Sequence, residues 1–201
     1  MEQKGGRPPL WALYFTALGY GAVGLFWLWL SHRRHGIPWS DLLGLGHPWQ
    51  VFGWGTILAV VLIGFEMAIA TFVPDRLWAD DGRNASFCEL GYGHIFLLML
   101  VVGVGEELFF RAGIQRLLVE GLGSAVEGIL LASIVFALLH PYWKKPLLMV
   151  SVFAMGAVMG WGYWFTGSIW TSAWCHFLVN FVMTLFGKKG MFLPRRSADE
   201  P

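Results

Sequence analysis

The chain has 201 residues, 56% of them hydrophobic and 13% charged, with 12 Trp, 16 Phe and a formal net charge of +1. That leaves too little polar surface for an ordinary water-soluble domain. A charge so near zero gives no sign of a nucleic-acid partner, and the lipid bilayer is the expected surroundings. The expected fold class is all-α, a polytopic transmembrane helix bundle of six spans.

In chain order, the first span is the uncharged run 10–30, which covers about 30 Å at about 1.5 Å per residue, the thickness of a hydrocarbon core. Lys4 and Arg7 precede it as they would a signal peptide. The run is nevertheless longer than the roughly 7–15 residues of a signal h-region, and it exits through Ser31-His32-Arg33-Arg34 instead of a small-x-small site, so it reads as a retained anchor. The second span, 51–73, is interrupted only by Glu66 and closed by Pro74. Glu66 has two readings, a helix–helix hydrogen bond or part of a cavity lining. A polar loop covers 74–89. The third helix, 90–118, begins in the membrane and emerges as an amphipathic end at Gln115, Arg116 and Glu120, stopped by Gly121-Leu122-Gly123-Ser124. Residues 126–140, 147–165 and 168–186 complete the set, the last two joined by a tight turn at Thr166-Gly167.

With six spans, one side holds Lys4, Arg7, Arg76, Arg83, Lys144, Lys145, Lys188, Lys189, Arg195 and Arg196, and the other mainly Arg33, Arg34 and Arg116. The positive-inside rule then places both termini in the cytoplasm, as expected of a multi-pass protein of a bacterial inner membrane. Cys88 and Cys175 have no CxxC or metal-knuckle spacing and read as structural. Trp161, Trp164, Trp170 and Trp174 read as interfacial anchors and lipid-facing mass.

Against this apolar background, Gly105-Glu106-Glu107-Leu108-Phe109-Phe110-Arg111 places three ionisable groups within six residues at the end of a membrane-embedded run. Each such group costs roughly 2.5–3.5 kcal/mol at the centre of a membrane helix, so it is usually paired or lines a functional cavity. Glu107 and Arg111, four positions apart, share a helix face and form an ion pair, which leaves Glu106 for another partner. His176 and Asn180 have the same spacing, as do Phe136 and His140. Glu106 and His140 lie equally far before and after the Gly123 loop, so an antiparallel helix pair sets them at one depth, nearer the cytoplasmic side. His176 fits that level less well, being closer to its own turn at Thr166-Gly167.

The succession Glu106-Glu107-x-x-x-Arg111, Phe136-x-x-x-His140 and His176-x-x-x-Asn180 resembles the CAAX protease and bacteriocin-processing (CPBP, or Abi) family of intramembrane glutamic endopeptidases, in its compact prokaryotic form. All three motifs stand in the family's order, and the stretches 133–140 and 167–170 share its texture; the first 90 residues show no such likeness. The resemblance implies a catalytic four-helix core 90–186 with an intramembrane active site, set between the two-span segment 1–89 with its polar loop and a basic cytoplasmic tail 187–201. It implies peptide-bond hydrolysis, with Glu106 activating a water that His140 helps to hold, His176 and Asn180 donating to the oxyanion, and Glu107 with Arg111 in support. The implied substrate is a peptide or protein with a membrane-proximal tail or leader, and no cofactor is implied. Two histidines, a carboxylate and a water also suit a catalytic zinc site, although no His-Glu-x-x-His helix is present. Two other classes stay open. One is a non-enzymatic immunity or scaffold protein, and the other a proton-coupled transporter, for which the chain lacks paired, repeat-like halves.

Overall fold

A computed structural model describes residues 9–78, 85–140, 142 and 145–191, except for the side chains of Arg76, Ala85 and Ser86. Lys4, Arg7, Arg83, Lys144, Arg195 and Arg196 lie outside the described residues, as does most of the 187–201 tail. The described elements are all helical: α1 Leu10–His35, α2 Trp39–Leu43, α3 Pro48–Phe72, α4 Asp75–Trp78, α5 Ala85–Cys88, α6 Tyr92–Glu107, a π-helical stretch Leu108–Gln115, α7 Arg116–Leu122, α8 Ala125–Leu138, α9 Pro146–Thr166 and α10 Ile169–Lys188. No strand occurs among the described residues. Because α6, the π stretch and α7 run on without a break, six principal rods correspond to the six expected spans.

Several boundaries move for local reasons. The first helix continues to His35, where His32, Arg33, Arg34 and His35 occupy the last turn beside its unpaired carbonyls and left-handed Gly36 caps it by donating its N–H to the His32 carbonyl. The second span, α3, starts at Pro48, whose missing N–H and fixed φ suit a first helical position. The 74–89 segment is not a plain loop, since α4 and α5 lie within it. Gln115 does not emerge as a polar end: it is buried and donates through Nε2 to the Gly160 carbonyl at 2.9 Å, and the solvent-facing pair is Arg116–Glu120, at 2.8 Å.

Four stretches, Leu10–His35, Trp39–Phe72, Pro146–Thr166 and Ile169–Lys188, are long and apolar enough to cross a membrane. They carry bare outward rings such as Trp11, Phe15, Trp49 and Phe72. In contrast, α8 has 14 residues, about 21 Å of rise against a core of roughly 30 Å, so at least one of its ends lies at membrane depth.

The starts of α1 and α6 and the end of α10 share one face of the bundle. Leu10, Leu13 and Tyr14 pack there with Leu90, Ile95, Phe181 and Leu185. Lys188 Nζ donates to the carbonyls of Cys88 and Leu90 at 3.0 and 2.9 Å. At the opposite face, Leu28 packs with Leu42, Leu108, Ala112 and Ile169.

Small residues let the rods close in a medium where no hydrophobic effect drives helix association. On α1, Ala17, Gly21 and Gly24 form a stripe against α6 and the π stretch. A Cβ on Gly105 would lie 2.2 Å from the Ala17 carbonyl oxygen, and one on Gly24 would lie 2.4 Å from the Leu108 carbonyl carbon and oxygen. The obstruction is backbone in both cases, so no side-chain rotation relieves it. Gly24→Ala is therefore expected to lower the stability of the detergent-solubilised protein by about 1–3 kcal/mol. Gly19→Ala, with nothing within 4 Å of its added carbon, is expected to leave stability unchanged or slightly raised in the same unfolding measurement.

Candidate active site

The Glu106-Glu107 pair ends α6, where the backbone passes into the π stretch. A π-helix bonds i to i+5, so its coil is wider and rises less per residue than an α-helix; such turns are rare and cluster at functional sites. Its residues Arg111 and Gln115 follow Glu107 at intervals of four, and all three side chains are buried.

Glu107 accepts from Arg111 Nε at 2.9 Å, both side chains being fully buried. Its other oxygen pairs with His176 Nδ1 at 3.0 Å, while the Ser172 hydroxyl, one turn earlier on α10, donates to the Ile169 carbonyl at 3.0 Å. A carboxylate paired with arginine only accepts, so Nδ1 of His176 carries the hydrogen and Nε2 is turned outward. There it faces Glu106 Oε2 at 3.9 Å, beyond hydrogen-bonding distance and in the range where a bridging water makes the link. Glu106 Oε2 has no hydrogen-bond partner among the described residues, so its lone pairs are uncommitted.

His140 stands just past the end of α8, with Nδ1 at 2.7 Å from the Phe136 carbonyl and its ring 4.5 Å from the Phe136 ring. That same phenyl ring meets His176 edge-on at 6.1 Å and carries the Arg111 guanidinium 5.2 Å from its centroid. Phe136 is thus the apolar partition on which both histidines and the arginine rest. Asn180, one turn beyond His176 on α10, is half-buried, and its carboxamide has no hydrogen bond among the described residues. No three His, Cys, Asp or Glu side chains among the described residues are grouped closely enough to hold a metal ion.

The model of the type II CAAX prenyl endopeptidase Rce1-like family matches residues 90–182, which contain Glu106, Glu107, Arg111, His140, His176 and Asn180. The uncharacterized protein YpbD of Bacillus subtilis (strain 168) is 30% identical over 135 residues, 66% of this chain and 67% of that one. The chain belongs to the CAAX protease family. No solved structure matches it. Family membership together with the four long apolar helices makes it an integral membrane protein of CAAX-protease type.

Within this family member, Glu106 faces His176 at 3.9 Å, and the π stretch, which rises less per residue than an α-helix, lies inside the count from Gly123 that sets Glu106 level with His140. One reading of the sequence changes on folding. Trp170 and Trp174 are not simply lipid-facing: their indole N–H groups donate to the Leu43 carbonyl at 2.7 Å and the Thr56 hydroxyl at 3.0 Å. Glu66 takes the helix–helix reading, accepting from the Ser151 hydroxyl across α3 and α9. Cys175 is fully buried in the cluster that includes Phe136, Met159 and Val179.

Removing one partner of a buried ion pair leaves the other uncompensated. Arg111→Met is expected to cost about 3–5 kcal/mol in unfolding free energy, and adding Glu107→Gln to restore much of it.

Proposed function

We propose that this family member is an intramembrane endopeptidase that hydrolyses a peptide bond near the membrane surface, acting on a protein or peptide with a membrane-proximal C-terminal tail or leader. The observation that carries the reading is the placement of His176: its Nδ1 is held at 3.0 Å by the buried Glu107, and its Nε2 faces the uncommitted oxygen of Glu106 at 3.9 Å. An imidazole fixed by one carboxylate beside a second, free carboxylate suits proton transfer and charge stabilisation at one reacting carbon.

In this reading Glu106 takes a proton from a water as the water oxygen bonds to the scissile carbonyl carbon, with His140 helping to hold that water. The carbonyl oxygen becomes an oxyanion, which accepts from the Asn180 carboxamide and from His176. Because Nδ1 of His176 already donates to Glu107, donation from Nε2 requires the doubly protonated ring. Collapse breaks the C–N bond, and Glu106 returns the proton to the departing amine. Glu107 and Arg111 hold the helix and the imidazole in place. No metal enters this scheme, so cleavage is expected to persist in EDTA, and loss of activity restored by zinc would replace the scheme with a metal-dependent one. Both termini are placed in the cytoplasm, a reading supported by the shared face on which α1 begins and α10 ends and by Lys145, Lys188 and Lys189.

The deciding experiment is mass spectrometry of peptide termini in membranes from cells producing wild type or Glu106→Gln at matched levels. New termini seen only with the wild type are the expected outcome, and they name the substrate. Identical termini, with a cellular phenotype that Glu106→Gln also gives, would replace the endopeptidase with a scaffold or immunity protein.

A further inference from the structure

The polar side of the π stretch continues past Glu107. Arg111 gives Nε to Glu107 at 2.9 Å, but its Nη1 and Nη2 are buried with no hydrogen-bond partner among the described residues. Gln115 has the complementary lack. Its Nε2 donates to the Gly160 carbonyl at 2.9 Å, which fixes the orientation of the amide because a carbonyl only accepts. That leaves Oε1 buried, again with no partner among the described residues. Buried donors and acceptors in folded proteins are almost always answered, by other protein groups or by ordered water.

The unanswered atoms face one seam. The Arg111 guanidinium lies 5.2 Å from the centroid of the Phe136 ring. That ring stands against Gly156 of α9, where an added Cβ would lie 3.2 Å from Phe136 Cδ1 and 3.2 Å from Ser133 Cβ. One turn along α9, a Cβ on Gly160 would lie 2.6 Å from Gln115 Oε1 itself and 3.2 Å from the Ile129 side chain. Arg111 and Gln115, four apart on the π stretch, are therefore set beside two glycines four apart on α9, with α8 as the third wall. Ser133 is fully buried in that wall; its hydroxyl donates to the Ile129 carbonyl at 2.7 Å and keeps its oxygen lone pairs as an acceptor.

We propose that this seam is a binding site for a buried water, which accepts from an Arg111 Nη and donates to Gln115 Oε1, with the Ser133 oxygen open to its second hydrogen. The chemistry selects a neutral occupant. An anion would answer the guanidinium but meet the lone pairs of Gln115 and Ser133, where Glu107 already balances the Arg111 charge. A cation would answer those lone pairs but meet the guanidinium. A small molecule that both accepts and donates suits both sides, and a buried water typically makes about three hydrogen bonds. The water closes a chain of hydrogen bonds that runs from the Gly160 carbonyl through Gln115, Arg111 and Glu107 to His176, joining α9 to α10 through the π stretch. It is held whether or not Glu106 serves as a base.

The test is an experimental structure of the purified full-length protein at a resolution that shows ordered solvent. A solvent peak within about 2.7–3.2 Å of both Gln115 Oε1 and an Arg111 Nη is expected. A direct contact between the two side chains, an ion on the guanidinium, or a dry gap overturns the site. In solution, Gln115→Met keeps the length of the side chain and removes the acceptor, and it is expected to lower the thermal unfolding midpoint by about 2–8 °C. In an Arg111→Met background the same substitution is expected to lower the midpoint by less than about half as much, because groups joined through one water are not additive. An unchanged midpoint in Gln115→Met, or the same shift in both backgrounds, overturns the link between the two residues. If Arg111→Met does not fold, the solvent peak in the wild type decides.

Discussion

A carboxylate and a guanidinium with no access to solvent persist inside an apolar bundle only when each is answered, and in this protein the answer is mainly Glu107 with Arg111. The consequences extend beyond neutralisation. Glu107 is a two-oxygen acceptor, so one oxygen takes Arg111 Nε while the other is left for His176. The guanidinium plane lies over Phe136, tying α8 to the same point. Three elements, the π stretch, α8 and α10, are therefore registered against one buried charge pair. The cost of leaving either charge unmatched keeps that register.

The same pair explains why two adjacent glutamates behave differently. Neighbouring residues on a helix point about 100° apart, so Glu107 is turned into the bundle and is satisfied there, while Glu106 is turned toward His176 on α10 with a free oxygen among the described residues. One carboxylate is committed to the ion pair, and the other keeps an uncommitted oxygen. His176 joins them: its Nδ1 belongs to the structural carboxylate and its Nε2 to the free one.

Close packing supplies the precision that polar groups alone do not. Gly105 and Gly24 bring α1 onto α6 and the π stretch at distances that exclude even a methyl group, and Gly156 on α9 stands against Ser133 and Phe136 of α8, an added Cβ meeting each at about 3.2 Å. In a membrane, where lipid tails compete equally for apolar surface, such contacts hold helices together by fit and dispersion. The ring set of Tyr20, Phe109, Phe110 and Phe136 fills the space between them, with successive centroids 4.9, 5.0 and 4.8 Å apart. The short α8 leaves Phe136 and His140 near its end at the level where that set needs them.

The sequence by itself determined the helical class, the six rods, the glycine turns at Gly123 and Gly167 and the pairing of Glu107 with Arg111. Each of these follows from local rules: apolar run length, a positive φ at the turn, and the four-residue repeat of a helix surface. It also supplied the set Glu106, His140, His176 and Asn180, because ionisable and amide groups stand out against an apolar background. Only the tertiary structure decided which of them meet. The π stretch leaves no mark in residue type, yet it changes the rise per residue and hence the depth of Glu106, which faces His176 at 3.9 Å. Gln115 turns inward to Gly160 and Tyr20 stacks on Phe109 for the same reason: a hydrogen bond or ring contact between distant segments is fixed by how the rods dock, which no local pattern encodes.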